Sequence, residues 1–219
     1  MRRLPTGSSS RTAGGVEEAV AALFARQHGA ATRAQLLESG LEAEQVRARL
    51  GSGRLRVVHR GVYMLGDLRG SLEPRRAREM AAVLACGPRA VLSHGSGAWL
   101  RGWHPRPAVP DVTVPWEARR IREGVRIHRS SGLAQAETEI VDGIPVTSAL
   151  RTLLDLATVV GARDLERAAA RAERAGAVDA DALRAGAARL AGRPGAANAR
   201  AVFLAQEERA FTRSEAEDL

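Results

Sequence analysis

Five glycines, at positions 29, 40, 51, 53 and 61, cut residues 16–65 into pieces too short for anything except small helices and tight strands. The first piece, GVEEAVAALFARQHG, has acids early and sets Val16, Val20, Leu23 and Phe24 on one side of a helical repeat that Gly29 stops. In ATRAQLLESG, Thr32 can cap, Leu36 and Leu37 can bury, and Gly40 ends the helix. In LEAEQVRARLGSG, Val46 and Leu50 stand four apart ahead of Gly51 and Gly53. RLRVV and VYML then form two short strands around His59-Arg60-Gly61, a turn-sized connection. Three helices and a hairpin in so short a span predict a winged helix-turn-helix over 16–70, with a disordered basic tail over 1–15.

From Pro74 the pattern changes. PRRAREMAAVLACG reads as a helix with a basic first turn, broken by Gly87-Pro88. AVLSHGSGAWLRGW reads as a short strand, a Ser93 cap and a short helix. Prolines at 105, 107, 110 and 115 bracket the strand DVTV, and GVRIHRS and GIPVT supply two more. SALRTLLDLATVV is a helix with Arg151 and Asp155 spaced for an i,i+4 pair. Residues 71–160 are therefore expected to form a small mixed α/β domain. Beyond them lie three Ala-rich helical stretches, the second capped by Asp179 or Asp181. The closing TRSEAEDL has the capping-box form, Thr212 with Glu215, of a helix just begun. Residues 161–219 thus read as a helical tail leading towards a further domain, and as the least stable part, since alanines bury little area. The expected fold class is α+β.

With aromatics at 3% and hydrophobics at 45%, the core must be built from Leu, Val and Ala. The net charge of +8 needs a discount: all 33 basic residues are Arg, the mark of a GC-rich bacterial coding bias. Distribution says more than the total. Residues 1–70 hold 11 Arg against 6 acids, residues 71–130 hold 11 against 5, and residues 131–219 hold 11 against 14. That asymmetry fits a polyanion-facing front and an ordinary solvated back. The single cysteine, Cys86, permits no disulfide within the chain, has no metal-ligand spacing and reads as a buried thiol. No apolar run approaches the ~20 residues that span a bilayer, and the basic start has no apolar segment behind it, so a cytoplasmic protein is expected.

No acid occurs from Gln45 to Arg60 in a chain with 25 acids. In a helix-turn-helix the second helix of the pair enters the major groove, and here that helix runs from about Ala43 to Leu50. Gln45, Arg47 and Arg49 are its candidate base readers, since Gln can bond adenine and Arg guanine. Arg54 and Arg56 alternate with Leu55 and Val57 and so belong to the outer face of the first wing strand. His59 and Arg60 fall at the wing tip, and Thr32 and Arg33 at the start of the preceding helix, as candidate phosphate contacts. A solvated face in an Arg-biased protein is the plainer alternative, but it would be expected to carry interspersed acids.

Other motifs carry less. Ser93-His94 suggests a nucleophile beside a base, yet neighbours rarely point at each other and no acid partner is evident, so a cap and a locally bonded histidine are expected. Gly95 and Gly97 are wrongly placed for a phosphate loop. Trp99 and Trp103 are four apart, as on one helical face, and read as core. His128 has no second ligand at metal spacing. No catalytic site, metal or cofactor is expected. Arg75, Arg76, Arg78, Arg119, Arg120, Arg122, Arg126 and Arg129 could extend a DNA footprint or meet an acidic protein.

The segment ATRAQLLESGLEAEQVRARLGSGRLRVVHRGVYML resembles the N-terminal winged-helix domain of AbiEi-type antitoxins of type IV toxin–antitoxin systems, most specifically in its Gly-Arg-Leu and HRGVY. VLSHGSGAWLRGW and VDGIPVTSALRTLLDLA resemble segments that follow this domain in many actinobacterial relatives, so the similarity covers most of 28–160. It implies a repressor that binds operator DNA and controls its own operon, and a downstream domain that counters a nucleotidyltransferase-like protein toxin. Glu42 departs from the Ser or Thr expected to open the recognition helix, leaving Glu42 and Glu44 near the groove. Many relatives continue past TRSE into a very-short-patch-repair-like endonuclease domain, whose opening helix has an acid matched by Glu215. The later metal-binding acids of that domain are absent, so a truncated relative without nuclease activity is the alternative expectation. A plain transcriptional regulator without a toxin is a third. Oligomeric state is not legible.

Overall fold

A computed structural model describes residues 13–66, 76–118, 122–131, 133, 137–189 and 195–204. The capping box expected at Thr212 and Glu215 lies outside them. The molecule divides into two compact units between Ala85 and Cys86. That division falls well past residue 70, because α4 (Ala77–Cys86) closes the first unit instead of opening the second.

The first unit opens with α1 (Ala13–Arg26). The helix starts inside the stretch read as a tail, since Gly14 and Gly15 are weak helix formers and hide its first turn. Val20, Leu23 and Phe24 are its buried residues. They pack with Leu36, Leu41, Val46, Leu55 and Tyr63 in one core. That core joins α1 to α2 (Arg33–Glu38), α3 (Ala43–Gly51) and the strands β2 (Leu55–His59) and β3 (Val62–Leu65). Leu41 fixes the turn between α2 and α3 from beneath. At Gly40 the backbone has φ +104°, and a Cβ there would meet Val16 Cγ2 at 2.9 Å. Only glycine gives both that conformation and that approach to α1.

A strand not anticipated from sequence, β1 (Ala30–Thr32), completes a three-stranded antiparallel sheet in the order β1-β3-β2. Its register places Ala30 opposite Met64, Ala31 opposite Tyr63 and Thr32 opposite Val62. Thr32 then caps α2: its Oγ1 accepts from the Gln35 N–H at 3.2 Å, and Gln35 Oε1 accepts from the Thr32 N–H at 2.9 Å. Such a reciprocal cap contributes about 1 kcal/mol.

The second unit carries a five-stranded mixed sheet in the order β6-β5-β4-β8-β7. Its strands are β4 (Val91–Leu92), β5 (Asp111–Pro115), β6 (Arg126–Ser130), β7 (Thr138–Val141) and β8 (Ile144–Thr147). β4 pairs antiparallel with β5 and parallel with β8, while β5 and β6 run parallel over their full length. The helices are α5 (His94–Leu100), α6 (Ala149–Leu156), α7 (Ala162–Arg174) and α8 (Ala180–Arg189), with a further helical segment over 196–204. Arg151 Nε bonds Asp155 Oδ1 at 2.8 Å within α6, and Asp179 Oδ1 caps α8 through the Ala182 N–H at 2.6 Å, both as expected.

The described residues after 160 do not stand apart as a tail. Leu165, Ala168, Ala169 and Ala172 of α7, Leu183 and Ala187 of α8, and Val202 and Phe203 beyond it share one core with Trp103, Leu153 and Leu156. Small side chains allow close helix approach, so an alanine face contributes through packing that its own area understates. Cutting Leu165, fully buried, to Ala is therefore expected to cost about 2–5 kcal/mol. The tryptophans Trp99, Trp103 and Trp116 all lie in the second unit. Their fluorescence during urea unfolding would report the loss, and an unchanged midpoint would show that α7 is not part of that unit's cooperative core.

Candidate nucleic-acid interface

The first unit's sheet register brings two basic stretches together. Because Thr32 pairs with Val62, the Arg33 N–H donates to the Gly61 carbonyl at 2.9 Å. The start of α2 and the β2–β3 turn are thus joined, so Thr32 and Arg33 neighbour His59 and Arg60. Gly61, at φ 78°, takes the left-handed conformation that the tight turn requires. Arg33 and Arg60 are exposed there, with Thr32 and His59 half-buried.

Along β2 the expected alternation holds and then fails. Leu55 is buried and Arg56 exposed, but Val57 is 60% exposed. A register shift between Val57 and His59 adds a residue to β2, the kind of bulge that interrupts the alternation of a strand. Arg56 reaches Met64 Sδ at 3.6 Å from Nη2, a weak contact that lays its stem on the strand.

On α3 the three candidate readers separate. Arg47 is exposed and pairs with Glu44, Nη2 to Oε2 at 2.6 Å, one turn away on the same face. Gln45 is exposed, but its Oε1 accepts from the Glu42 N–H at 2.9 Å. Glu42, extended at the N-cap, thus opens the helix with Gln45 as the capping partner. Arg49 turns back to α1, where its Nη2 pairs with Glu17 and only 18% of its side chain remains exposed. Arg49 and Arg54 both border a groove of about 730 Å³ with Val20, Phe24 and Leu55. Arg49 therefore ties α3 to α1, in contrast to the outward role expected of it. The three-residue spacing of Glu44 and Arg47 could have signalled their pairing, though it was not anticipated, whereas the long-range partner of Arg49 had no local signal.

The second unit holds a polar cluster that sequence reasoning set aside. Ser93 Oγ lies 2.9 Å from His94 Nδ1, so these neighbours do touch. Ser93 sits at the N-cap position of α5 without a side-chain cap bond and instead accepts from Thr113 Oγ1 at 2.8 Å. His94, at φ 48°, stacks on His128 with ring centroids 3.5 Å apart. His128 Nε2 in turn bonds Asp111 Oδ1 at 3.0 Å, with Arg126 Nη1 on the same oxygen at 3.2 Å. An acid therefore does stand near Ser93 and His94, reached through a histidine 34 positions along the chain. Both Ser93 and Asp111 are buried. With the hydroxyl shut away from solvent, the cluster is a packed network with no open nucleophile. Nearby, burial lifts the Asp155 carboxyl above its ordinary range even with Arg151 at 2.8 Å. Among the described residues, no group of three or more His, Cys, Asp or Glu could hold a metal ion.

The remaining expectations divide. Cys86 is buried, and burial pushes its thiol up to about 11. α5 ends at Leu100, so Trp103 lies beyond the helix and not on one face with Trp99. Trp103 is buried in the core, whereas Trp99 lies 4.9 Å beneath the Arg106 guanidinium. Of the other arginines, Arg78 pairs with Glu79 at 3.2 Å and Arg129 Nε donates to the Ala118 carbonyl at 3.2 Å. Arg75, Arg119 and Arg120 fall outside the described residues. Among the described helices, none is long and apolar enough to cross a membrane.

Residues 18–66 match the family model for the transcriptional regulators of the AbiEi antitoxin group. The matched segment covers the three-stranded sheet, α2, α3 and α1 from residue 18 onward. This similarity supports an AbiEi-type regulator domain at the N-terminal end. Among solved structures, the RV2827C protein from Mycobacterium tuberculosis is similar at 17% identity, over 91% of this chain and 84% of that chain, with a TM-score of 0.38. No curated protein matches the chain.

The buried network carries a pH dependence. Burial first, and the adjacent His128 second, lower His94 from 6.5 to about 3. His94 stays neutral in the fold but takes up a proton near 6.5 once unfolded. The unfolded state therefore binds more protons between those values, and the second unit is expected to lose stability as pH falls from 6.5 towards 3. The raised Asp155 carboxyl opposes this at the acid end. His94→Asn, which tolerates a positive φ, is expected to flatten the dependence, read as the thermal midpoint of tryptophan fluorescence against pH. Parallel profiles for variant and parent would exclude His94 as the source.

Proposed function

We propose that this chain is a DNA-binding antitoxin whose first unit works as a winged helix-turn-helix. The proposal rests on one coincidence: the segment similar to AbiEi regulators is also the segment whose outer edge is basic and free of acids from Gln45 to Arg60. Its α1-β1-α2-α3-β2-β3 order, with the strands in one antiparallel sheet, suits insertion of α3 into the major groove and of the hairpin beside the backbone. Arg47 would meet bases. Thr32, Arg33, Arg56, His59 and Arg60 would meet phosphates, and Arg54 would lie at the edge of the footprint. Gln45 and Arg49 would hold α3 in its capped and docked position.

In this reading the protein is a non-enzymatic cytoplasmic repressor of its own operon and counters a nucleotidyltransferase-like toxin. The second unit is the candidate toxin-binding part, since Trp116 and Ile140 there are 68% and 65% exposed, an unusual share for side chains so large.

Titration of the purified chain with its own upstream duplex and a scrambled duplex, repeated over salt, tests this. Preference for the upstream DNA is expected, weakened in an Arg47→Ala/Arg60→Ala variant, with the salt slope reduced by about 1 for each phosphate contact removed. Equal, steeply salt-dependent binding to both duplexes would reduce the interaction to phosphate attraction. No binding at moderate salt would overturn the DNA-binding function.

A further inference from the structure

The outward face of α3 is set by Val46, its buried anchor. At 3.6 residues per turn, the side opposite Val46 carries Glu44, Ala48 and Gly51, with Gln45 and Arg47 on its two flanks, and all five are exposed. Gln45 lies on the flank with its amide oxygen engaged by Glu42. Arg49 is drawn back to Glu17. Of the long polar side chains, Glu44 stands opposite Val46, and Arg47, on the flank beside it, touches it at 2.6 Å, the two being 74% and 72% exposed.

An acid at the centre of such a face needs a reason. Phosphates repel it, so a surface meant only for backbone attraction would be stronger without it. A carboxylate is an acceptor with no donor, and on the major-groove edge the matching donors are exocyclic amines, with cytosine N4 the usual partner of Glu. Arg offers the complementary fork to guanine O6 and N7. The ion pair between the two is exposed and therefore weak in water, so exchanging it for base contacts costs little. Their contact in the free protein shows the two side chains to be neighbours, with Glu44 in the first turn of α3, where base edges come close.

We infer that Glu44 is a specificity-determining residue, selecting a cytosine beside the guanine that Arg47 contacts and penalising DNA that lacks it. The inference rests on the DNA-binding function proposed above. Its cost is a lower affinity for unspecific DNA, and its gain is a stricter site.

Selection of bound duplexes from a randomised pool by the full chain, followed by sequencing, tests it. The parent is expected to enrich a site containing an invariant cytosine next to an invariant guanine. Glu44→Gln is expected to lose the cytosine, or exchange it for adenine, with discrimination at that base pair falling by roughly tenfold or more, while the other positions persist and affinity for a scrambled duplex rises. Arg47→Ala is expected to lose the guanine. Both side chains are exposed, so thermal melts should match the parent and exclude misfolding. A Glu44→Gln variant that selects the same site with the same strictness overturns the inference while leaving DNA binding intact. A parent that enriches no sequence overturns the specific DNA-binding function itself, and the role of Glu44 with it.

Discussion

The pairing of Thr32 with Val62 is the constraint on which the first unit depends. It closes the three-stranded sheet, sets Thr32 where its hydroxyl can cap α2, and carries the Arg33 N–H to the Gly61 carbonyl. A slip of one residue would turn Ala31 out of the core and Thr32 into it, removing the cap and separating the two basic stretches. Through Leu36, Leu41 and Val46 the same core then fixes the roll of α3. The charge on the surface is therefore arranged by a strand of three residues and the small apolar core behind it.

The second unit solves a different problem. Its core is Leu- and Ala-rich, built from α5, which lies between β4 and β5, together with α6, α7 and α8, which follow the last strand. Within this apolar setting sits a polar chain from Thr113 through Ser93 and His94, stacked on His128, which bonds Asp111. Buried polar groups that satisfy one another cost little, whereas a group left without a partner costs its full desolvation. The positive φ at His94 is tolerated because a hydrogen bond to Ser93 and a ring stack on His128 hold that residue in place.

Charge pairing decides what the arginines can do. Arg49 with Glu17, Arg126 with Asp111 and Arg151 with Asp155 and Glu137 have structural partners. Bulk Arg content is thus a poor guide to binding, and the exposed arginines outside these fold-holding pairs, Arg33, Arg60 and, beside the exposed Glu44, Arg47 among them, are more informative.

Much of the local structure was legible in the residues. Glycine stops, the Thr32 cap, the Val20–Phe24 face and the Arg151–Asp155 spacing all act within a turn or two of chain, where sequence distance and spatial distance agree. β1 was not legible, because Ala-Ala-Thr has no strand signal of its own and becomes a strand by lying beside β3. The partners of Arg49 and His94 were hidden for the same reason, being 32 and 34 residues away. The union of residues after 160 with the second unit's core was hidden because an alanine face looks alike whether exposed or packed. The sequence by itself determined the glycine stops, the caps and the apolar side of most helices, since those depend on short-range geometry. Only the tertiary structure decided which charges are spent on the fold and which remain for a partner, since that depends on contacts between segments far apart in the chain.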